Sequence, residues 1–558
     1  MKKEIKTGLL PEIITSDNAA AVLTVAAVIA STLLFGAYDW YFCLIPSALL
    51  VAAAIIKHTY TFKNRYGFIF LIMTASAAIS LYFGQTDKQN GIYGLELIMC
   101  FFAAFYAGSA EKNGAWIKKY IFAAAFLTAA IGLAAYAGII RAEEFVISDH
   151  GIRRLQSVFR YANTAAVVLG CGYYLSLDIS ESLQSRICSV LTLLAMYLTF
   201  SRAAIVIFIC IGTALAFLNR SIAKRVIIDN GICLVLAAAL FAFYLYSGRG
   251  GYALSETMVK RFVYMRDALA ALRAYPIIGA GSCAWRYLQY SLQSTGYSVA
   301  HIHNGWLEHW LENGIIFTLC LLVLTAASVY RAAKAKDWSI AASILLIALH
   351  SLVDFDMSFG SVLVIYALML GQSLKNGVIS RPAVFVNGFI LLLVCASVIY
   401  AGAEYTVRSV FEKSYTEGNT DRALKKAYTL RSLCPCDSSL RVSIAALDGD
   451  NAASELKEAR RLSPLDPEIM RAVIEYKLGA GGSGIIEDCI TYISMAPKQE
   501  NVYALADIYA SRAFENGLCS QEKYNSFREY TGKRRISEGV TDRNALLEDM
   551  VKQKENTK

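Results

Sequence analysis

Long apolar stretches separated by short polar loops fill roughly the first 400 residues of the chain. A helix that crosses a bilayer core about 30 Å thick needs about 20 apolar residues. Windows of that length give thirteen candidate spans: 19–36, 41–56, 66–83, 92–108, 117–138, 162–178, 186–200, 202–218, 226–246, 314–330, 338–353, 359–374 and 384–402. Only Ser201 and Arg202 separate the seventh and eighth candidates, so the pattern predicts an all-α polytopic protein with about 12–13 transmembrane helices.

The charged residues concentrate at the other end of the chain. Over all 558 residues, 56% are hydrophobic and 17% are charged, whereas soluble proteins carry about 25% charged residues. From Glu404 onward, however, Lys, Arg, Asp and Glu are frequent. We therefore predict a transmembrane domain over 1–403, a soluble helical domain over 404–530 and a charged tail over 531–558.

The basic residues of the short loops predict the orientation in the membrane, because cytoplasmic loops carry an excess of Lys and Arg. The N-terminal segment MKKEIK and the loops at 57–65, 109–119, 219–225 and 331–336 are basic, and they alternate with loops that are poor in basic residues. The apolar run 19–36 is long and lacks a clear small-residue cleavage site, so we read it as a retained first helix. The pattern predicts a multi-pass protein of the cell membrane, with a cytoplasmic N-terminus and an extracytoplasmic C-terminal domain.

Arginines cluster in two loops on the predicted outer face, at 139–161 and in the long external loop at 247–313. Long loops can cross the membrane regardless of charge, so each of these arginines could simply be a solvated surface residue. Arg202 differs because it lies between FS and AAIVIF, where a charge is costly without a partner or a water-filled cavity. Guanidinium groups offer planar, bidentate donors, so several at one face would suit a phosphate group.

Three of the six histidines fall within the segment HIHNGWLEHWLENG: His301, His303 and His309. The spacing is not that of a zinc protease, and no cysteine cluster accompanies it. The alternatives are histidines that anchor a helix at the lipid headgroups and a histidine that acts as a general base or orienting donor. We favour the second role, since the pKa of histidine permits it near neutral pH, and we predict no metal.

Five fragments of the chain resemble, in the same order, segments of the O-antigen ligase and polymerase superfamily. The most specific, HNGWLEHWLENG at 303–314, resembles the family signature H-N-x-x-L-x-x-x-x-E-x-G. The others are RRLQSVFRYANTAA at 153–166, with Ser157 where glycine is usual, FSRAA at 200–204, with Ala203 for glycine, RFVYMRDALAALRAYPIIGAG at 261–281, and HSLVDF at 350–355. The resemblance covers about 150–375.

This resemblance implies an inverting, metal-independent glycosyltransferase that needs no cofactor. The donor would be a glycan on undecaprenyl pyrophosphate, and the acceptor a hydroxyl of a second glycan, a lipid or a protein. By the motif match, His303 is the candidate catalytic residue, with Asn304 and Glu312 in support. His303 would position or deprotonate the acceptor hydroxyl, or help to hold the pyrophosphate. The candidate pyrophosphate contacts are first Arg160 and Arg202, then Arg261 and Arg266.

His303 and Glu312 cannot act as a pair if both lie in one regular helix. Nine residues rotate a helix by about 900° and advance it by about 13.5 Å, which places the two side chains on opposite faces. Either the helix begins after His303, or Glu312 has another task, such as accepting a hydrogen bond that fixes the loop. We expect Glu312 to be structural rather than catalytic.

The soluble part of the chain repeats a proline after an apolar turn, at Pro435, Pro464 and Pro497. Spacings of this size, with Ala and Tyr in the flanking helical patterns, resemble degenerate tetratricopeptide repeats, whose period is about 34 residues. Such an array would offer a groove to a protein partner. The alternative is an ordinary helical bundle that binds nothing.

Several functions stay open at this point. A ligase and a polysaccharide polymerase would share donor and geometry and differ only in the acceptor, and no residue identifies the sugar. A transporter or flippase would also need many spans, but it would predict matching halves and broken helices, whereas only Pro46 among the eight prolines lies within a span. A catalytically inactive scaffold is the third reading. The expected partners include membrane lipids but no nucleic acid.

Overall fold

The computed structural model describes residues 16–57, 66–84, 87–111, 114–149, 152–179, 182–246, 256–375 and 381–540. These residues are helical almost throughout and contain one two-stranded antiparallel sheet. The helices of the first half are α1 Ser16–Leu33, α2 Leu44–Ile56, α3 Tyr66–Phe83, α4 Lys88–Ala110, α5 Gly114–Tyr136, α6 Ala162–Ser176, α7 Leu183–Leu198, α8 Arg202–Leu218, α9 Arg220–Tyr246, α10 Glu256–Ala274 and α11 Trp285–Leu292. Those of the second half are α12 Gly305–Lys334, α13 Trp338–His350, α14 Gly360–Leu374, α15 Arg381–Thr416, α16 Thr420–Leu433, α17 Ser438–Leu447, α18 Ala452–Leu462, α19 Pro467–Gly479, α20 Ile485–Met495, α21 Glu500–Glu515 and α22 Gln521–Glu538. The strands are β1 Val146–Asp149 and β2 Ile152–Leu155.

Each of the thirteen predicted spans coincides with a helix, namely α1–α9 and α12–α15. Within the described ranges, five helices are long and apolar enough to cross a membrane: α3, α4, α5, α12 and the Val384–Thr416 part of α15. The prediction of an all-α polytopic membrane protein is confirmed. Helices such as α13, with 13 residues, reach only about 20 Å, so the number of spans stays a prediction.

The most extensive helix contact among the described residues is between α4 and α14, and nearly every residue of α14 is buried. Two glycines allow the helices to approach closely. A Cβ on Gly108 would lie 2.3 Å from the carbonyl oxygen of Leu368, and one on Gly371 would lie 2.2 Å from that of Phe105. Small residues at such crossings let helix backbones meet in a membrane, where packing rather than hydrophobic burial drives association.

The loops of the bundle alternate between its two ends. At one end the Lys118 ammonium, at the start of α5, bridges Asp178 after α6 and Asp337 before α13, at 2.6 and 2.8 Å. The opposite ends of the same three helices carry Tyr136, Tyr161 and His350. The predicted topology, including the assignment of each end to cytoplasm or exterior, stays a prediction.

Two of the predicted loops contain secondary structure. The arginine-rich loop 139–161 contains the β1–β2 hairpin, and the loop 247–313, which is predicted to be external, contains α10 and α11. The N-terminal basic segment, Lys63, Arg65, Arg249 and the end of the charged tail at 541–558 lie outside the described residues.

Each of the C-terminal helices α16–α22 packs against the next, and α16 packs against α15. The predicted domain boundary at 403 lies inside α15, which continues because no proline follows the apolar segment to end it. Pro435, Pro464 and Pro497 each lie three residues before a helix, α17, α19 and α21 respectively. The repeated unit is therefore a helix pair, and its tetratricopeptide identity stays a prediction.

Polar contacts join these C-terminal helices to the membrane domain. The Ser438 hydroxyl donates to Asp87 at 2.7 Å, just before α4. The Gln499 amide donates to the carbonyl oxygen of Tyr297, in the external loop, at 2.7 Å. The helical domain therefore rests on the same end of the bundle as the external loop.

Candidate active site

The histidine segment forms the turn that begins α12. Asn304 is the N-cap, and its side chain accepts a hydrogen bond from the Leu307 amide at 3.0 Å, which satisfies one of the free donors of the first helical turn. The Gly305 amide donates to the carbonyl oxygens of Ser351 and Asp354, at 2.7 and 3.0 Å. The loop between α13 and α14 is thereby held against His303, whose φ of +59° turns the chain into the helix.

A buried carboxylate, Asp354, collects four side chains from three distant parts of the chain. His303 Nδ1 lies 3.1 Å from Oδ1, which also accepts from the Tyr161 hydroxyl at 2.8 Å. The Asn163 amide donates to Oδ2 at 2.6 Å, and the Arg261 guanidinium lies 3.2 Å from the same oxygen. Asp354 is fully buried, and a buried charge needs partners of this kind.

These partners keep Asp354 ionised. Burial alone would raise its pKa, but the hydrogen bond from His303 and the positive charge of Arg261 outweigh burial and hold that pKa well below its ordinary value. A carboxylate can only accept hydrogen bonds, so Nδ1 of His303 carries the hydrogen. Within the described part of the chain Nε2 has no hydrogen-bond partner, and in the neutral ring it is a proton acceptor.

Arg154 ties a second segment to this network. Its guanidinium donates to Asn163 Oδ1 at 3.0 Å and to the carbonyl oxygen of Thr199 at 2.9 Å. Thr199 belongs to the turn that leads into α8 and Arg202. The segments around 154–163 and 199–202 therefore meet beside Asp354, although they come from different loops.

A second histidine–carboxylate pair, His301 with Glu308, lies next to the pair of His303 with Asp354. His301 Nδ1 is 2.5 Å from Glu308 Oε1, and Nε2 is 2.7 Å from the Tyr38 hydroxyl. The Phe355 ring stacks on His301 with centroids 4.3 Å apart and meets His303 edge-on at 5.0 Å. Phe355 thus fixes the positions of both imidazoles.

The four predicted pyrophosphate contacts occupy different positions. Arg261 is buried against Asp354 and also donates to the carbonyl oxygen of Val353 at 2.8 Å. Arg160 pairs with Glu144 at 2.7 Å and lies over the Phe35 ring at 3.6 Å. The remaining two are exposed: Arg266, which pairs with Asp267 at 3.2 Å, and Arg202, which begins α8.

Glu312 and His303 belong to the same motif, but they contact different parts of the chain. The helix begins at Gly305, after His303. The Glu312 carboxylate accepts a hydrogen bond from the Cys283 amide at 2.7 Å, in the turn before α11. This contact is of the loop-fixing kind considered for Glu312 above.

Replacing Glu312 by alanine is expected to loosen the turn around Cys283, because the Cys283 amide loses its acceptor. Digestion of the membrane-embedded protein by a protease should then cut the external loop faster than in the wild type. Glu312→Gln keeps an acceptor oxygen at the same reach and should digest at the wild-type rate. Equal protection of the alanine variant would mean that Glu312 does not hold this loop.

Tyr161, Asn163 and Asp354 were not among the residues singled out from the sequence. All three lie in fragments that resemble the family, RRLQSVFRYANTAA and HSLVDF. The available signal was a pair of aspartates, Asp354 and Asp356, in the short loop after the apolar helix α13. The partners of Asp354 could not be identified, since they are distant in the chain.

Comparison with known proteins bears on one stretch of the chain. Residues 187–322 match the family model described as O-antigen ligase, a range that includes Arg202, Arg261, Arg266 and the histidine segment, but neither Arg160 nor Asp354. No curated protein matches the chain. The match supports the resemblance seen in the motifs, so this polytopic helical membrane protein is similar, from α7 into α12, to the O-antigen ligases.

Proposed function

We propose that the protein is a membrane glycosyltransferase of the O-antigen ligase type. It transfers a glycan from undecaprenyl pyrophosphate to a hydroxyl acceptor at the outer face of the membrane, with inversion and without a metal. The observation that carries this proposal is the His303–Asp354 pair at the N-terminal end of α12, within a chain that is similar to O-antigen ligases over residues 187–322.

His303 acts in this reaction as the general base. The acceptor oxygen forms a bond to the anomeric carbon, and the bond from that carbon to the pyrophosphate oxygen breaks, with its electron pair leaving on the pyrophosphate. The acceptor proton passes to Nε2 of His303. Asp354 orients the ring through Nδ1 and stabilises the imidazolium that forms. General-base catalysis typically accelerates a reaction by about 10²–10⁴-fold.

The arginines stabilise the leaving group. The transition state places negative charge on the pyrophosphate, and preplaced cations lower its energy. Arg160 pairs with Glu144 where both side chains are exposed, and such an ion pair contributes only about 0–1 kcal/mol. Arg266 is itself exposed, while its buried partner Asp267 also accepts hydrogen bonds from Ser294 and Tyr297. The pyrophosphate can therefore replace the partners of both arginines. Together with Arg202 they are the proposed contacts, while Arg261 acts mainly by positioning Asp354.

The test is glycan transfer in proteoliposomes that contain purified full-length protein, an undecaprenyl-pyrophosphate glycan and a pool of candidate acceptors. Hydrogen bonds to charged groups contribute about 1.5–3 kcal/mol, so Arg202→Ala and Arg160→Ala are each expected to slow transfer by about 10–100-fold. Arg202→Lys keeps the charge and should recover part of the rate.

Two results would count against this proposal. If the arginine variants transfer at the wild-type rate, the pyrophosphate site lies elsewhere. If the wild type transfers no glycan to any acceptor, the protein is a transporter or a scaffold rather than a transferase. The length of the product distinguishes a ligase from a polymerase: one added glycan unit indicates a ligase, and a ladder of units indicates a polymerase.

The sidedness and the partner of the helical domain complete the proposal. The candidate site and the C-terminal helices lie at the same end of the bundle, which we assign to the exterior. The stacked helix pairs then stand beside the site, where they could bring a protein acceptor or another partner protein close to His303.

A further inference from the structure

A polar cleft separates the membrane domain from the C-terminal helices. Its walls come from the segment after α1, the start of α4, α11, the end of α15 and the residues around the starts of α17 and α19. It has a volume of about 650 Å³, which falls within the roughly 300–1,000 Å³ of pockets that hold small molecules. We call it the interdomain cleft.

The interdomain cleft is rich in aromatic side chains: Trp40, Tyr41, Tyr93, Tyr287 and Tyr405 line it. Trp40 stacks on Tyr93 with centroids 4.5 Å apart and planes within 2°, so the two rings form a rigid platform. Tyr405 is 44% exposed. Such rings combine an apolar face with a polar edge, and a sugar ring needs both, since its C–H face is apolar and its rim carries hydroxyls.

The charge of the cleft selects among ligands. Its charged lining residues are Asp87, Asp437, Asp466 and Glu412 against Arg408 and Lys413. An excess of carboxylates repels a phosphate or pyrophosphate, whereas carboxylates accept hydrogen bonds from hydroxyl and amino groups. The expected ligand is therefore neutral or carries amino groups.

An unpaired buried acceptor points to the same ligand. Gln89 lines the cleft and is only 2% exposed. Its amide nitrogen donates to Tyr400 and Glu404, at 3.2 and 3.3 Å, but Oε1 has no partner among the described residues. An unpaired buried acceptor is unfavourable, so a hydroxyl or amine of a bound sugar that reached Oε1 would be stabilised there.

The cleft adjoins the histidine cluster. Trp40 and Tyr41 follow Tyr38, which contacts His301. Arg286, the neighbour of Tyr287, interacts electrostatically with both Tyr38 and Tyr287. A chain of sugar units whose reacting end lies at His303 could therefore continue into the cleft.

We propose that the interdomain cleft is a carbohydrate-binding site for neutral or amino sugar units of the glycan, away from the bond that reacts. The inference rests on the proposed function for its role in transfer, but binding itself can be measured without any reaction. The glycan could belong to the donor or the acceptor, since both offer the same chemistry.

The first test is binding of three soluble trisaccharides to the purified full-length protein in nanodiscs, by calorimetry. Chitotriose and its amino form should bind, and trigalacturonic acid, which is anionic, should bind at least about tenfold more weakly. Tyr405→Ala should weaken chitotriose binding at least about fivefold, and Ser439→Trp, which puts a large ring into the cleft, should abolish it. Tyr415→Ala is the matched control, because it lies on the same helix with similar exposure, 47% against 44%, outside the cleft.

The outcomes separate this inference from the proposed function. His303→Ala should lose transfer and keep trisaccharide binding. In the transfer reaction, a raised KM of Tyr405→Ala for the donor alone assigns the cleft to the donor, and a raised KM for the acceptor alone assigns it to the acceptor. Absence of trisaccharide binding, equal effects of Tyr405→Ala and Tyr415→Ala, or binding of a basic peptide in place of all three sugars would overturn the inference, even if the wild type transfers glycan.

Discussion

Replacing His303 by alanine is expected to abolish glycan transfer, with a fall in rate of at least about 100-fold. General-base catalysis contributes about 10²–10⁴-fold. In the His303–Asp354 pair, only Nε2 of His303 is a proton acceptor without a partner among the described residues, and alanine removes it. The measurement is the initial rate of glycan transfer in proteoliposomes. His303 is partly exposed, so the variant should insert and fold as the wild type does.

His309 provides the matched control, because it belongs to the same motif. Neither of its ring nitrogens has a hydrogen-bond partner in the described residues, so His309→Leu removes no hydrogen bond and should leave transfer within a few-fold of the wild type. Loss of transfer in both variants would indicate damage to α12 rather than to a base. Full activity of His303→Ala would remove His303 from the chemistry.

Replacing Asp354 by asparagine is expected to lower both the transfer rate and the stability of the protein. The amide no longer stabilises the imidazolium of His303, which should slow transfer by about 100-fold. It also leaves Arg261 as a buried, uncompensated cation, and breaking a buried ion pair in this way costs about 3–5 kcal/mol. Transfer rate and thermal unfolding in detergent measure the two effects.

Asp356 is the matched control for Asp354. It lies in the same loop, is equally buried and also bonds a histidine, His350, at 2.5 Å, but it does not contact His303. Asp356→Asn should therefore destabilise the protein while leaving the rate per folded molecule closer to that of the wild type. Similar losses of rate per folded molecule in both variants would show that the loop matters only for folding.

The lowered pKa of Asp354 has a defined consequence for pH dependence. An aspartate titrates near 3.9 in the unfolded chain, and its folded pKa is lower. The stabilisation by its charge is therefore complete above about pH 4 and is lost as the pH falls through the folded pKa. As the pH falls below about 4, the stability difference between the wild type and Asp354→Asn should shrink in thermal unfolding, because only the wild type loses this stabilisation.

Helix positions followed from the sequence because they depend on local composition. Each predicted span, from 19–36 in α1 to 384–402 in α15, coincides with a helix, since an unbroken apolar stretch satisfies its backbone hydrogen bonds within itself. The boundary of the soluble domain did not follow from the sequence in the same way. The residues change from apolar to charged near 403, so the surroundings of α15 change there, but the helix continues.

The sequence also identified His303 and the arginines as candidates, through motifs of residues close together in the chain. It did not identify the partner of His303, because Asp354 is 51 residues away and Asn163 is 191 residues from Asp354. Such contacts arise only when the ends of α6, α12 and α13 converge. Composition and periodicity determined that the chain forms membrane helices and where they lie, whereas the packing of those helices alone decided which polar side chains meet at their ends.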